Sequence, residues 1–279
     1  MKIVKVQRAG ASAAGVLFDD RITVIGNWHP GEADQSPFEL PELTLDALRA
    51  AYTTATEVVA LTEVDLAVPI DPRRKIICVG MNYRDHTAEI SAEVAENPVL
   101  FTRSLDSLVS QGRPVVRPKA SERFDFEGEI AIVIGKAGRH ISREAALDHV
   151  FGSTCFMDGS VRDYQRHSLT AGKNFWRSGA MGPWIITRDE IGDADLALRT
   201  TLNGGQVQAA HASDMIFGIA EVIEYCSRWT MLVPGDVIAT GTPGGVGARR
   251  TPPLWMKPGD RINVEISGVG LLSNPVVAE

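Results

Sequence analysis

Two glutamates, Glu127 and Glu129, open an apolar run in the stretch FDFEGEIAIVIG, residues 124–135. Side chains alternate along a strand, so both carboxylates share a face with Ala131 and Val133, their Cβ atoms about 7 Å apart. Like charges on a buried face need a compensating partner. A third acid, Asp158, follows the apolar run FGSTCFM as if at the end of another strand. Three carboxylates without histidine or cysteine suit a hard cation, Mg²⁺, Mn²⁺ or Ca²⁺, rather than zinc. Taken alone, Glu-x-Glu is a weak signal, since such pairs occur on many solvated strand faces. His86 and Glu89, in GMNYRDHTAE (80–89), stand three apart. On a helix they share a face, where the carboxylate can orient the imidazole as a general base. The same spacing also fits an incidental surface pair. Lys173, in AGKNF, offers an ammonium for an anionic substrate or for solvent. The turn Thr240-Gly-Thr-Pro-Gly-Gly-Val-Gly247 lacks the GK[ST] ending of a P-loop. Its free backbone N–H groups suit a carboxylate, and it also reads as a flexible turn. There is no GxSxG elbow, HExxH pair or dinucleotide-binding glycine fingerprint.

The elements that must carry these residues are mostly strands. KIVKV, AAGVLF and RITVIG alternate like short strands, 43–61 has helical apolar spacing, and the proline-flanked VPIDP (68–72) reads as a linker. This predicts a small N-terminal domain over 1–70 and a larger one over 71–279. In the larger domain IICVG (76–80) reads as a buried strand, and 82–94 as a loop with a short helix. VLFTR (99–103) and the EGEIAIVIG run follow, then a helix over 143–150 with Ser142 as its N-cap. GPWIIT, LALRTTLNG, DVIATG, RINVEI and GLLSNPVV read as further strands, interrupted by one helix over 213–229. The pattern predicts a mainly β, α+β fold with few helices rather than a parallel βαβ sheet.

With 279 residues, 44% of them hydrophobic, the chain can bury a full core. A net charge of −7 argues against nucleic acid and anionic membranes as partners. Cys78, Cys155 and Cys226 form no CxxC pair, no apolar run is long enough to span a bilayer, and the first residues lack the apolar core of a signal peptide. These features predict a cytoplasmic protein.

Seven segments in one order carry a resemblance: GMNYRDHTAE, FEGEIAIVIG, FMDGSVRDYQ, AGKNF, GPWIIT, PGDVIATGTPGGVG and KPGDRINVEI. Together they resemble the fumarylacetoacetate hydrolase family over residues 72–279. The resemblance implies a β-rich sandwich roll preceded by a small N-terminal domain, a homodimer, and a divalent metal, usually Mg²⁺. It implies Glu127, Glu129 and Asp158 as metal ligands, His86 and Glu89 as a dyad on a lid segment, and Lys173 as the active-site lysine. Arg103, Gln165, Thr240, Gly241 and Thr242 match substrate-contacting positions. Three departures stand out: Arg103 where many members have lysine, Trp176 where many have aspartate, and Gly159 where valine is common.

The activity this implies is hydrolysis of a C–C bond in an acylpyruvate or related β-diketo acid. His86, held by Glu89, would activate water, while Lys173 and the Thr240 turn would stabilise the developing negative charge. A lyase or isomerase of the same family, such as an oxaloacetate decarboxylase or a 2-oxo acid hydratase, is the alternative. A catalytically silent metal-binding protein is a third reading.

Overall fold

The apolar run after Glu127 forms the strand Gly128–Ile134, buried along its whole length in the computed structural model. The structure describes residues 1–31, 44–89, 93–192 and 195–279. Gly128–Ile134 runs antiparallel to Val150–Met157 on one side, with Glu129 opposite Phe156, and to Val237–Ala239 on the other. Ile76–Gly80 lies parallel to Val237–Ala239, and Val99–Arg103 closes that edge. In the other direction Gly179–Thr187 follows Val150–Met157, and Lys2–Arg8 follows it, with Lys2 opposite Ile186. The strands Ala11–Phe18, Arg21–Val24 and Val58–Ala60 continue the same sheet, which counts 13 strands among the described residues.

A run such as IAIVI, apolar at every position, needs cover on both faces. Ile130 and Ile132 pack into a core with Leu198, Ile262 and Val264 of a second sheet. That sheet has 5 strands, in the order Val115–Arg117, Gly270–Ala278, Arg261–Ile266, Ala197–Leu202 and Gly205–His211. Ala131 and Val133, on the opposite face, pack with Ile76, Phe101 and Phe156. A mainly β fold of two packed sheets is therefore what the chain forms.

The expected helices are shorter than the spacing predicts or absent, while the short helices Arg162–Gln165, Leu169–Lys173 and Arg188–Ile191 are additional to it. The segment 43–61 becomes the helix Leu45–Thr54, capped by Thr44 Oγ1 accepting from Ala47 N at 3.2 Å, while Val58–Ala60 joins the sheet beside Arg21–Val24. Residue 43 lies outside the described residues. The helix expected over 143–150 is absent: a short 3₁₀ turn spans Ala146–His149, and Val150 already pairs with Ile134. Sheet pairing overrides the weak local helical preference there. The helix expected over 213–229 begins later, as Ile219–Trp229. The strand Gly205–His211 escapes sequence reading because its face is polar and largely exposed. In the expected linker Ile70 is buried. No helix among the described residues is long and apolar enough to cross a membrane.

The two sheets approach closely at Gly128, between the two glutamates. A Cβ there would lie 2.0 Å from Thr200 Oγ1. Thr200 is fully buried and its hydroxyl has no hydrogen-bond partner among the described residues. Gly128→Ala is therefore expected to destabilise the protein by about 1–3 kcal/mol through overpacking. Thr200→Ala should cost little alone and should recover most of the loss in the double variant, a coupling that urea unfolding of the four proteins would measure. Additive losses would place the strain elsewhere.

Candidate active site

The register that pairs Gly128 with Met157 brings the residues flanking that pair, Glu127 and Asp158, together at one sheet edge. The Asp158 N–H donates to Glu127 O at 2.8 Å, which locks the two strand ends. Glu129, one residue into the strand, completes a group whose ligand oxygens all lie within 4.8 Å of one another. All three acids are buried.

The fold itself supplies partners for these buried charges. Lys173 Nζ bridges Glu127 Oε2 at 2.6 Å and Asp158 Oδ2 at 2.5 Å. Arg162 pairs with Glu127 Oε1 at 2.7 Å and donates through Nε to Asp125 Oδ2 at 2.7 Å. Arg103 donates to the other oxygen of Asp158. Four buried carboxylates, Asp125, Glu127, Glu129 and Asp158, thus meet three cations, Arg103, Arg162 and Lys173. Glu129 is the acid left over. Among the described residues its one side-chain hydrogen bond is from the Gly241 N–H, at 3.0 Å.

The electrostatics follow from this inequality. Burial, then the neighbouring Asp158 and Glu127 charges, push the Glu129 carboxyl well above the usual carboxylate range. Burial alone would also raise Glu127, but Lys173, then Arg162 and His86, outweigh it and hold that carboxyl at about 2. Burial by itself would lower the Lys173 ammonium, yet Asp158 and Glu127 reverse the effect and keep it charged. An oxygen-only donor set with one unmatched negative charge fits a hard divalent cation held by Glu127, Glu129 and Asp158.

His86 sits on the short helix Arg84–Glu89, its Nδ1 at 3.2 Å from Glu89 Oε2. That helix is tied to the glycine-rich turn, because Gly245 N donates to Glu89 at 3.1 Å and Gly244 N to Asp85 at 3.0 Å. Residues 90–92 of the segment expected to act as a lid lie outside the described residues. A cavity of about 670 Å³ opens above the acids, and His86, Glu127, Gln165, Lys173 and Thr242 line it.

The other candidate residues face inward rather than into this space. All five N–H groups of Arg103 have protein acceptors: Asp158, Gly159 O, Ser178 Oγ and both oxygens of Ser107. Arg103 therefore holds Asp158 and has no donor free for a substrate. Thr240 Oγ1 donates to Ile130 O at 2.9 Å, and the Gly241 N–H is committed to Glu129. The glycine after Asp158 also has a reason in the packing, since a Cβ on Gly159 would fall 1.7 Å from Ser178 O.

Three residues that hold the site were missed from sequence. Asp125 Oδ1 accepts from Gly247 N at 2.7 Å and Oδ2 from Ala248 N at 2.9 Å, so it fastens the glycine-rich turn to the strand that leads into Glu127. Its signal was visible as one more acid in an Asp-x-Glu-x-Glu alternation. Arg162 stands in FMDGSVRDYQ, four residues after Asp158. Gln208, from the polar strand of the second sheet, accepts from Gly128 N at 2.9 Å and donates to Thr242 Oγ1 at 2.8 Å. Nothing local in the sequence marks it.

This arrangement has relatives. The profile of the fumarylacetoacetate (FAA) hydrolase C-terminal family matches residues 75–277, and the chain belongs to that family. An oxaloacetate tautomerase of Bacillus subtilis is 43% identical over 224 residues, 78% of this chain and 74% of that protein. A mitochondrial oxaloacetate tautomerase of Xenopus laevis is 38% identical over 244 residues, 86% of this chain and 76% of that protein. Among solved structures, the fumarylacetoacetate hydrolase of Exiguobacterium antarcticum superposes with a TM-score of 0.82 at 33% identity, covering 100% of both chains.

A cation test separates a metal site from a merely structural acid cluster. A divalent cation at 100 times its dissociation constant should stabilise the protein by about 2.7 kcal/mol. Glu129→Gln should leave the metal-free protein about as stable as the parent, because this carboxyl is held toward its neutral form. It should nevertheless abolish the gain from Mg²⁺, Mn²⁺ or Ca²⁺ in thermal unfolding. An undiminished gain in the variant would remove Glu129 from the ligand set.

Proposed function

We propose that the protein is a keto–enol tautomerase of 2-oxo diacids, with oxaloacetate as the first substrate to assay. The observation that carries this reading is a mounted base and a charged ammonium on the walls of one cavity, His86 held by Glu89 and Lys173 held by two carboxylates. Such a pair serves proton transfer, and the tautomerase names of the relatives favour tautomerisation, the isomerase alternative, over C–C hydrolysis.

Enolisation of a 2-oxo acid takes a proton from C3 and delivers one to the 2-oxo oxygen. The barrier lies largely in the negative charge that develops on that oxygen between the two transfers. If Glu89 accepts the Nδ1–H of His86, the other ring nitrogen, Nε2, is the basic atom available to C3. Lys173 brings a fixed positive charge to the cavity floor, where little solvent reorganisation is needed as charge develops. Gln165 lines the same wall, with its Oε1 held by Arg162 Nη1 at 3.0 Å, which leaves its amide N–H₂ as the end available to a substrate oxygen. A divalent cation held by Glu127, Glu129 and Asp158, Mg²⁺ foremost, would supply Lewis-acid stabilisation of the 2-oxo oxygen. A homodimer belongs to the same reading, and light scattering of the purified chain tests it.

The decisive assay supplies the enol form of oxaloacetate to the Mg²⁺- or Mn²⁺-treated protein. Loss of enol absorbance and exchange of the C3 hydrogens with D₂O, read by NMR, should both run faster than in buffer containing the metal alone. His86→Ala should slow both by roughly 10²–10⁴-fold, the usual worth of a positioned base, while divalent-cation binding stays unchanged. Cleavage of acylpyruvates without any acceleration of enol decay would restore the hydrolase reading and sink this one.

A further inference from the structure

Beyond the cavity floor the walls carry three more arginines, Arg123, Arg166 and Arg249. They come from distant parts of the chain: Arg123 precedes the strand Phe124–Asp125, Arg166 follows the helix Arg162–Gln165, and Arg249 ends the turn Gly247–Arg249. All three side chains are exposed, and among the described residues none makes a hydrogen bond or ion pair. Arg103 and Arg162 nearby are each paired with buried acids, so the contrast is local. Glu127 is the sole carboxylate lining the cavity among the described residues, and Lys173 and Arg162 already engage it.

The scaffold beneath two of these arginines is fixed. Arg162 N donates to Arg123 O at 3.0 Å, and Asp125 accepts from both Gly247 N and Ala248 N directly before Arg249. Gathering like charges at one rim without counter-ions costs Coulomb energy, in a chain whose net charge is −7. Isolated solvated arginines would have no reason to cluster at this mouth. A cleft lined by one sign of charge concentrates the opposite sign, and guanidinium forks match carboxylates bidentately. A compact diacid held at the floor would also leave much of the roughly 670 Å³ cavity open.

We propose that Arg123, Arg166 and Arg249 form a distal carboxylate site that selects extended 2-oxo diacids by their second acid group. This rests on the tautomerase reading for the reacting end and adds the substrate class. Oxaloacetate then shares the chemistry of the reacting end, while longer homologues also reach the rim. The apolar wall beside Arg249, made by Pro253 and Trp255, accommodates the intervening methylenes.

Binding calorimetry on the Mg²⁺-treated parent and on the triple variant R123Q/R166Q/R249Q tests this. The probes are oxalate, which mimics the reacting end alone, 2-oxoadipate, and the monoacid of equal length, 2-oxohexanoate. In the parent, 2-oxoadipate should bind about tenfold or more tighter than 2-oxohexanoate, the worth of a charge-assisted pair. The variant should lose that preference and keep oxalate, 2-oxohexanoate and thermal stability unchanged. In C3 exchange the variant should raise KM for 2-oxoadipate and preserve kcat. Equal binding of the two long probes by the parent, binding of neither, or an equal loss of both in the variant would overturn the proposal. If the binding preference holds but no probe exchanges its C3 hydrogens, the rim stands and the tautomerase reading falls.

Discussion

Everything at this site depends on an unequal count of buried charge. Four carboxylates converge where two neighbouring strands end, and among the described residues three cations pair with them. In a low-dielectric interior an unmatched carboxylate either takes a proton or recruits a cation. The raised Glu129 carboxyl shows which group carries the mismatch. The same mismatch explains why Lys173 stays charged at a fully buried position, and why Arg103 spends every donor within the protein.

Holding that cluster requires support from two directions. From the second sheet, Gln208 fixes the peptide at Gly128 and the hydroxyl of Thr242, so the two glutamates and the glycine-rich turn move as one unit. From the other side, Asp125 ties the turn at Gly247 and Ala248 to Arg162, and hence to Glu127. The helix bearing His86 hangs on the same turn through Glu89 and Asp85. The His86 imidazole, the Lys173 ammonium and the acids therefore share one hydrogen-bonded frame, which fixes their mutual geometry. The side chains of Arg123, Arg166 and Arg249 lie outside this frame, without hydrogen-bond or ion-pair partners among the described residues.

The strands were legible wherever a face is buried, because an alternating or continuous apolar run can satisfy its burial in few other ways. Ile76–Gly80, Val99–Arg103 and Arg261–Ile266 fall where their residues suggest. The segment 143–150 was misread because its apolar spacing is too short to hold a helix against the pull of Val150 into the sheet. Gly205–His211 was passed over because an exposed edge strand has no apolar stripe to announce it. The resemblance brought Lys173 and His86 into view as active-site groups. It did not bring out Asp125 or Gln208, whose work is to hold backbone.

By itself, then, the sequence determined the chemical type of the site: three oxygen donors without a soft ligand, and a histidine spaced to be held by a glutamate. The Glu127–Glu129 and His86–Glu89 pairs reside in residue identity and in spacings of two and three along the chain, so they survive reading in one dimension. Only the tertiary structure decided how the charges are shared. Lys173 bridges Glu127 and Asp158 across 46 and 15 residues of chain, and Arg103 reaches Asp158 across 55. Such contacts are set by strand register and sheet packing, and a one-residue slip would turn Glu129 to the other face. The rim of Arg123, Arg166 and Arg249 is likewise invisible along the chain, because loops from three separate elements must meet before their like charges become one field.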